Sequence, residues 1–182
     1  KIDGVAVALH YRKGELDYAI TRGDGAVGDV ITENVKTIRS VPLKLGPDAP
    51  EWIEVRGEIF MSTVRFAAMN ESRQEEGLAT FKNPRNATAG ALKLLDSREV
   101  AKRPLDFIAH GLGGYSGAEI GSVKDFHALL KTHGIPANRP IWEGETFEET
   151  LAAVQALDVE RHHLPYGTDG AVIKVNSIAD QL

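Results

Sequence analysis

Between Glu51 and Met61 the chain alternates: Ile53, Val55 and Ile59 fall on one side of an extended backbone, and Glu54, Arg56 and Glu58 on the other. Successive side chains of a strand point to opposite faces, so this stretch satisfies both sets only as a β-strand. Its apolar face enters a core and a charged rank is turned away from it. The rest of the chain must supply a cover for the first face and a use for the second.

Val5 to Tyr11 alternates and is rich in valine, Arg12-Lys13-Gly14-Glu15 is turn-like, and Leu16 to Thr21 is strand-like again, which predicts a hairpin. Leu105 to His110 reads as a strand followed by a glycine-rich loop, and Asp169 to Asn176 as a closing strand. Helices are predicted over Thr32 to Ile38 and from an N-cap at Ser62 to about Glu76, closed by Gly77. Asn86 to Leu95 reads as helix interrupted by Gly90. Ser122 with Asp125 caps the stripe Val123, Phe126, Leu129 and Leu130, which ends at Gly134, and Thr146 with Glu149 caps Leu151, Val154 and Leu157. There is no internal repeat, no low-complexity stretch and no obvious linker. Strands and helices without a regular βαβ rhythm indicate an α+β fold, mostly antiparallel sheet with flanking helices.

The 182 residues suffice for one large domain or two small ones, and 42% hydrophobic with 26% charged residues excludes a disordered or fibrous chain. No cysteine is present, which excludes a disulfide scaffold, a thiolate nucleophile and cysteine-bound metal, and suits a cytoplasmic location. No apolar run approaches the roughly 18 residues that cross a bilayer, and no signal peptide opens the chain, so no membrane partner is expected. The sequence opens on Lys1 rather than methionine and reads as an excised fragment. A net charge of −5 argues against coating nucleic acid by bulk electrostatics. Charge is uneven, however. Phe81 to Pro104 holds Lys82, Arg85, Lys93, Arg98, Lys102 and Arg103 against Asp96 and Glu99, whereas Ile141 to Glu160 is acidic with no lysine or arginine. The basic stretch suits a phosphate or a short run of backbone; a solvated face is the alternative.

Five segments have residues suited to chemistry. In Lys1-Ile2-Asp3-Gly4, Lys1 and Asp3 share a face of an extended chain. A lysine is a nucleophile once its ammonium loses a proton, which desolvation or nearby cations favour; a surface lysine near a turn is the plainer reading. Arg22-Gly23-Asp24-Gly25 sets an arginine fork in a flexible loop, suited to phosphate or ribose, or else is simply an exposed turn. Arg56 and Glu58 share a strand face, where a carboxylate can hold sugar hydroxyls or form an ordinary surface ion pair. Asn83-Pro84-Arg85-Asn86, leading to Lys93, presents Arg85 near a helix start, a good place for an anion. In Asp169 to Asn176, Lys174 lies opposite Asp169 among valines that would partly desolvate it. His162-His163 point apart, and His127 and His133 lack ligand spacing, so no metal-ligating side chain is expected.

In this order, Lys1-Ile2-Asp3-Gly4, Thr21-Arg22-Gly23-Asp24-Gly25, Glu54-Val55-Arg56-Gly57-Glu58, Asn83-Pro84-Arg85-Asn86 with Ala89-Gly90, and Asp169-Gly170-Ala171-Val172-Ile173-Lys174-Val175-Asn176 closely resemble the adenylation domain of bacterial NAD-dependent DNA ligases. The resemblance spans essentially the whole chain. It implies a nucleotidyltransferase core of the DNA ligase and mRNA capping enzyme type, ATP-grasp-like, with NAD as substrate and magnesium assisting. The implied reaction moves AMP from NAD to a lysine with release of nicotinamide mononucleotide, then to the 5′-phosphate of a nick in double-stranded DNA. The 3′-hydroxyl then displaces AMP and seals the strand.

By position, the resemblance makes Lys1 the adenylylated lysine with Asp3 and Gly4 beside it. It sets Arg22 near the nucleotide, Glu58 on the ribose and Lys174 at the phosphate. Arg85, Lys93, Arg161 and Asp169 become phosphate- or DNA-directed residues. Residues 1–182 would be an adenylation domain incomplete at both ends, monomeric, lacking the subdomain that grips nicotinamide mononucleotide and the OB, zinc, helix-hairpin-helix and BRCT parts of the parent ligase. Alone, the piece is expected to bind adenylate weakly and self-adenylylate poorly. Two departures stand out: Ala91-Leu92-Lys93-Leu94 replaces the usual Ser-Leu-Arg-Gln, so Lys93 keeps a charge without the arginine fork, and Thr168 stands where isoleucine is common. The alternatives are a non-catalytic nucleic-acid-binding paralogue and an ATP-dependent ligase or capping-type nucleotidyltransferase.

Overall fold

The computed structural model describes residues 1–139 and 141–181. Four strands, β1 (Val5–Arg12), β2 (Glu15–Thr21), β3 (Trp52–Met61) and β4 (Leu105–Ser116), form one antiparallel sheet in the order β2-β1-β3-β4. The hairpin between β1 and β2 turns on Lys13 (φ 51°) and Gly14 (φ 78°), two consecutive left-handed residues whose twist suits a two-residue connection. Around the sheet lie α1 (Thr32–Val35), α2 (Thr63–Glu75), α3 (Pro84–Leu92), α4 (Ser97–Ala101), α5 (Val123–Thr132) and α6 (Phe147–Glu160).

The alternation in β3 divides the molecule as expected. Ile53, Val55 and Ile59 are fully buried, as are Leu9 and Tyr11 of β1, and they share one apolar cluster with Val35 of α1, Leu92 of α3, Val100 of α4 and Leu130 of α5. Each such side chain contributes about 1.5–3 kcal/mol on burial, so the odd-numbered row of β3 pins its register against both neighbours. Leu9 faces Val55, and Ile59 faces Val5 on one side and Phe107 on the other. Gly57 sits in this buried row because a Cβ there would overlap the Phe107 ring.

Helix caps follow the sequence signals. The Ser62 hydroxyl accepts from Arg65 N at the start of α2, and Gly77 (φ 70°) follows its end. Ser122 caps α5, and Thr146 with Glu149 forms a complete capping box on α6.

Four expectations need correction. The third large helix starts at Pro84, with Asn83 as cap, and ends at Leu92 rather than running from Asn86 to Leu95; proline is at home in a first turn, where its missing N–H costs nothing. A separate short helix, α4, follows with Asp96 as its cap. The glycines after His110 stay in β4 to Ser116, because they lie under β3 side chains: a Cβ on Gly113 would come within 2.7 Å of Glu54 Cγ, and one on Gly114 within 2.7 Å of Trp52 Cζ3. Asp169 to Asn176 is not a strand. It is anchored at its ends, Asp169 N–H to Lys1 C=O (3.0 Å) and Val123 N–H to Asn176 C=O (2.8 Å), but lies along no strand edge. Its Val172, Ile173 and Val175 are exposed, so the valines expected to bury Lys174 do not.

Candidate active site

The even-numbered row of β3 lies on the sheet face away from the main core. Strand register sets Ala6, Glu58 and Ile108 side by side, and Arg22 extends that row, its N–H donating to Ala6 C=O at 2.8 Å. The Glu58 side chain is only 14% exposed, and its carboxylate lies 3.6 Å from His110 Nε2. Glu54, also largely covered, takes a 2.6 Å bond from Arg56 Nε. Gly4 presses onto this surface: a Cβ there would overlap the Ile59 carbonyl oxygen and reach 2.9 Å from Glu58 Cγ. The glycine is therefore what lets the Lys1 segment lie against Glu58.

Across that segment runs a strap, residues 165–170, paired with it like a short antiparallel ladder. Ile2 bridges Thr168, Asp3 N–H donates to Gly167 C=O (2.9 Å), and Asp169 N–H donates to Lys1 C=O (3.0 Å). The pairing sets two side chains together: Lys1 Nζ donates to Asp169 Oδ2 at 3.0 Å. That bond holds the exposed Asp169 carboxyl below the usual carboxylate range. The charged partner of the Lys1 side chain is thus a carboxylate, which favours the protonated amine.

Arg85, at the start of α3, reaches back to Asp3 Oδ1 (3.4 Å), tying the helix to the Lys1 segment. Arg161, half-buried just after α6, donates to Thr168 C=O (2.8 Å) and lies 3.6 Å from Asp158, steadying the strap from outside. Lys174 Nζ donates to the carbonyl of His110, the residue whose ring meets Glu58. The residue is exposed as a whole, and partial burial lowers its pKa from the usual lysine value. Arg22 is exposed, its side chain making no ion pair among the described residues.

The structure therefore gathers Lys1, Asp3, Gly4, Arg22, Glu58, Arg85, Arg161, Asp169 and Lys174 around one end of the polar sheet face. Lys93 stands apart. It caps the far end of α3, eight residues and about 12 Å of helix from Arg85, and is exposed with no ion pair among the described residues. The basic stretch around it is also less continuous than its composition implies, because Asp96 takes Arg98 (2.8 Å) and Glu99 takes Lys102 (2.7 Å).

His110 is the site residue that sequence reasoning passed over. The meeting of its ring with Glu58 depends on the register of β3 against β4, where His110 is the extra residue of a bulge between Arg56 and Gly57, and no local pattern announces that. Among the described residues no group of three or more His, Asp or Glu side chains could hold a metal ion, and no helix is long and apolar enough to cross a membrane.

Comparison with known proteins converges on one family. A family model described as the NAD-dependent DNA ligase adenylation domain matches residues 1–182. A DNA ligase of Akkermansia muciniphila is 59% identical, over 98% of this chain and 22% of its own length. DNA ligases of Methylacidiphilum infernorum and Pseudomonas entomophila are each 46% identical, over 97% and 100% of this chain and 26% and 23% of their own. The chain spans about a quarter of the length of these curated relatives.

Proposed function

The chain belongs to the NAD-dependent DNA ligase adenylation domain family, and on that premise we propose that it is the catalytic core of an enzyme that joins nicked double-stranded DNA at the expense of NAD. The observation that carries the reading is the ladder between the Lys1 segment and the strap, which presents one lysine amine at the end of a sheet face carrying a covered carboxylate and several cations.

The chemistry needs an amine free of its proton. In the state described, Lys1 Nζ is bonded to Asp169, so attack begins with that contact breaking and the proton leaving. The Nζ lone pair then forms a bond to the adenylyl phosphorus of NAD, the phosphorus–oxygen bond of the diphosphate breaks, and nicotinamide mononucleotide departs with those electrons. The DNA 5′-phosphate next displaces lysine from AMP, and the 3′-hydroxyl displaces AMP and closes the strand. Glu58 is suited to the ribose hydroxyls, being a largely covered carboxylate on the polar sheet face, beside the Lys1 segment and 3.6 Å from His110 Nε2. Lys174 and Arg22 flank the same row and would offset charge growing on the phosphate oxygens. Arg85, Asp169 and Arg161 would act near phosphate or the nick, and Lys93 on DNA farther along α3.

Magnesium has no cage of side chains among the described residues, so no step here is routed through it; the phosphate oxygens of the substrates are where it would enter. The remaining domains of a parent ligase, a monomeric state, a cytoplasmic location and a nucleotidyltransferase core of the capping-enzyme, ATP-grasp-like kind belong to the same proposal. The antiparallel sheet with flanking helices supports the last. The test uses the full-length protein. Incubated with NAD it should gain the mass of one AMP on Lys1, and Lys1→Ala should abolish both the gain and sealing of an unadenylylated nick. A Lys1→Ala protein that still seals such nicks refutes the reading, and ATP replacing NAD as donor would favour the ATP-dependent alternative.

A further inference from the structure

On the polar side of the sheet, separate from the main core, three apolar side chains are buried together: Ile2, Phe60 and Tyr166, each under a tenth exposed. The Phe60 and Tyr166 rings meet edge to face, centroids 5.1 Å apart at 71°, within the favourable range for aromatic pairs. Each member comes from a different part of the site. Ile2 lies between Lys1 and Asp3, Tyr166 is the second residue of the strap that carries Asp169, and Phe60 is two residues after Glu58 on β3.

Something must hold the Lys1 segment and the strap in register, and their polar contacts are insufficient. A ladder of two or three residues is marginal in water on its own. The Lys1–Asp169 ion pair is exposed, 59% and 43% at the side chains, and exposed pairs contribute little. Arg161 and Arg85 reach the strap and the Lys1 segment only from outside; apolar burial is what joins the two to each other and to β3, and the cluster sits at the crossing point. Tyr166 lies next to Pro165, whose carbonyl takes the Thr63 N–H at 3.0 Å just past β3, and next to Gly167, whose carbonyl takes the Asp3 N–H.

We propose that Phe60 and Tyr166 are positioning residues that fix the register of the nucleophilic lysine against Asp169 and Glu58, by clamping Ile2 between β3 and the strap. The inference rests on the proposed ligase reading. A nucleophile displaced by about 1 Å can lose on the order of a hundredfold in rate, so the cluster should show itself in the lysine's own step rather than in strand closure.

The experiment uses the full-length protein with Phe60→Leu, Tyr166→Leu and Tyr166→Phe. Two single-turnover reactions are followed: transfer of AMP from NAD to the protein, and sealing of a nick that already carries AMP on its 5′-phosphate. The Leu variants should lose roughly 10–100-fold in the first reaction with KM for NAD little changed, and should keep most of the second. Tyr166→Phe, which keeps the ring, should restore the first. Unchanged AMP transfer in the Leu variants overturns the proposal, and so does an equal fall in both reactions, which marks general damage. If the unsubstituted protein never takes up AMP, the ligase reading itself is wrong and the proposal falls with it. If it does while the Leu variants match it, only the clamp is wrong.

Discussion

Gly4→Ala is the most informative single change at the site, because the structure states what the added methyl meets. The new Cβ would overlap the Ile59 carbonyl oxygen and stand 2.9 Å from Glu58 Cγ and 3.2 Å from the Ile59 carbonyl carbon. Comfortable carbon–carbon separations are about 3.5–4.0 Å, so the Lys1 segment must move off β3 by roughly 1 Å. Two of the three obstacles are backbone of Ile59, which is paired on both edges, to Val5 and to Phe107, and cannot rotate away. Overpacking of this kind costs about 1–3 kcal/mol, a fall in Tm of several degrees for a chain of this size. The chemical effect should be larger, because the displaced residue adjoins Asp3 in the short segment that ends at Lys1. A 1 Å error at a reacting group can cost about a hundredfold. The assay is single-turnover AMP transfer to the full-length protein from NAD, followed by mass, alongside thermal unfolding. A rate within about twofold of the unsubstituted protein, with Tm unchanged, would refute the claim that Gly4 is needed for close approach.

Gly57→Ala drives a methyl into the Phe107 ring within the main core. It should destabilise by about 1–3 kcal/mol without a selective effect on AMP transfer, as read by denaturant unfolding beside the transfer assay. Glu58→Gln keeps the shape and removes the charge. If the carboxylate holds ribose, KM for NAD should rise roughly 10-fold, the worth of about one charged hydrogen bond, in steady-state kinetics. His10 is buried with neither ring nitrogen hydrogen-bonded, stacked on Tyr18 at 4.1 Å and near Trp52. Burial lowers its pKa below the ordinary 6.5, with Glu54 and Asp17 opposing weakly and Arg56 adding to the fall. Its neutral form therefore supports the fold fully above pH 6.5. That support is lost as pH drops below 6.5 toward the folded value, since the unfolded chain takes the proton first. His10→Phe should flatten the stability profile over that window in unfolding measurements at stepped pH.

How much of this was legible beforehand depended on whether the deciding interaction was local. The β1–β2 hairpin, the two faces of β3 and the caps at Ser62, Ser122 and Thr146 are written in neighbouring residues, and they appear as expected. Asp96 as a cap, and hence α4, is equally local, but the basic residues around it dominate the pattern of that segment. The glycines of β4 carry no strand pattern of their own; the reason they extend the strand lies on β3, in Glu54 and Trp52. Asp169 to Asn176 has strand-like alternation, but a strand also needs an edge to join, and that is a property of the assembled fold. The resemblance supplied residue identities at the site, whereas the Asp169 partner of Lys1, the His110 partner of Glu58 and the isolation of Lys93 required three dimensions.

β3 carries folding and chemistry on opposite sides of one backbone. A one-residue slip would exchange the sides, sending Glu54, Arg56 and Glu58 into an apolar interior where unpaired charge is costly. Misaligned pairings of this sheet are therefore unstable as well as inactive. The hydrophobic interior acts as a proofreader for the reacting groups: a molecule that has folded has already aligned Glu58 with its neighbours, with no separate device needed to check it.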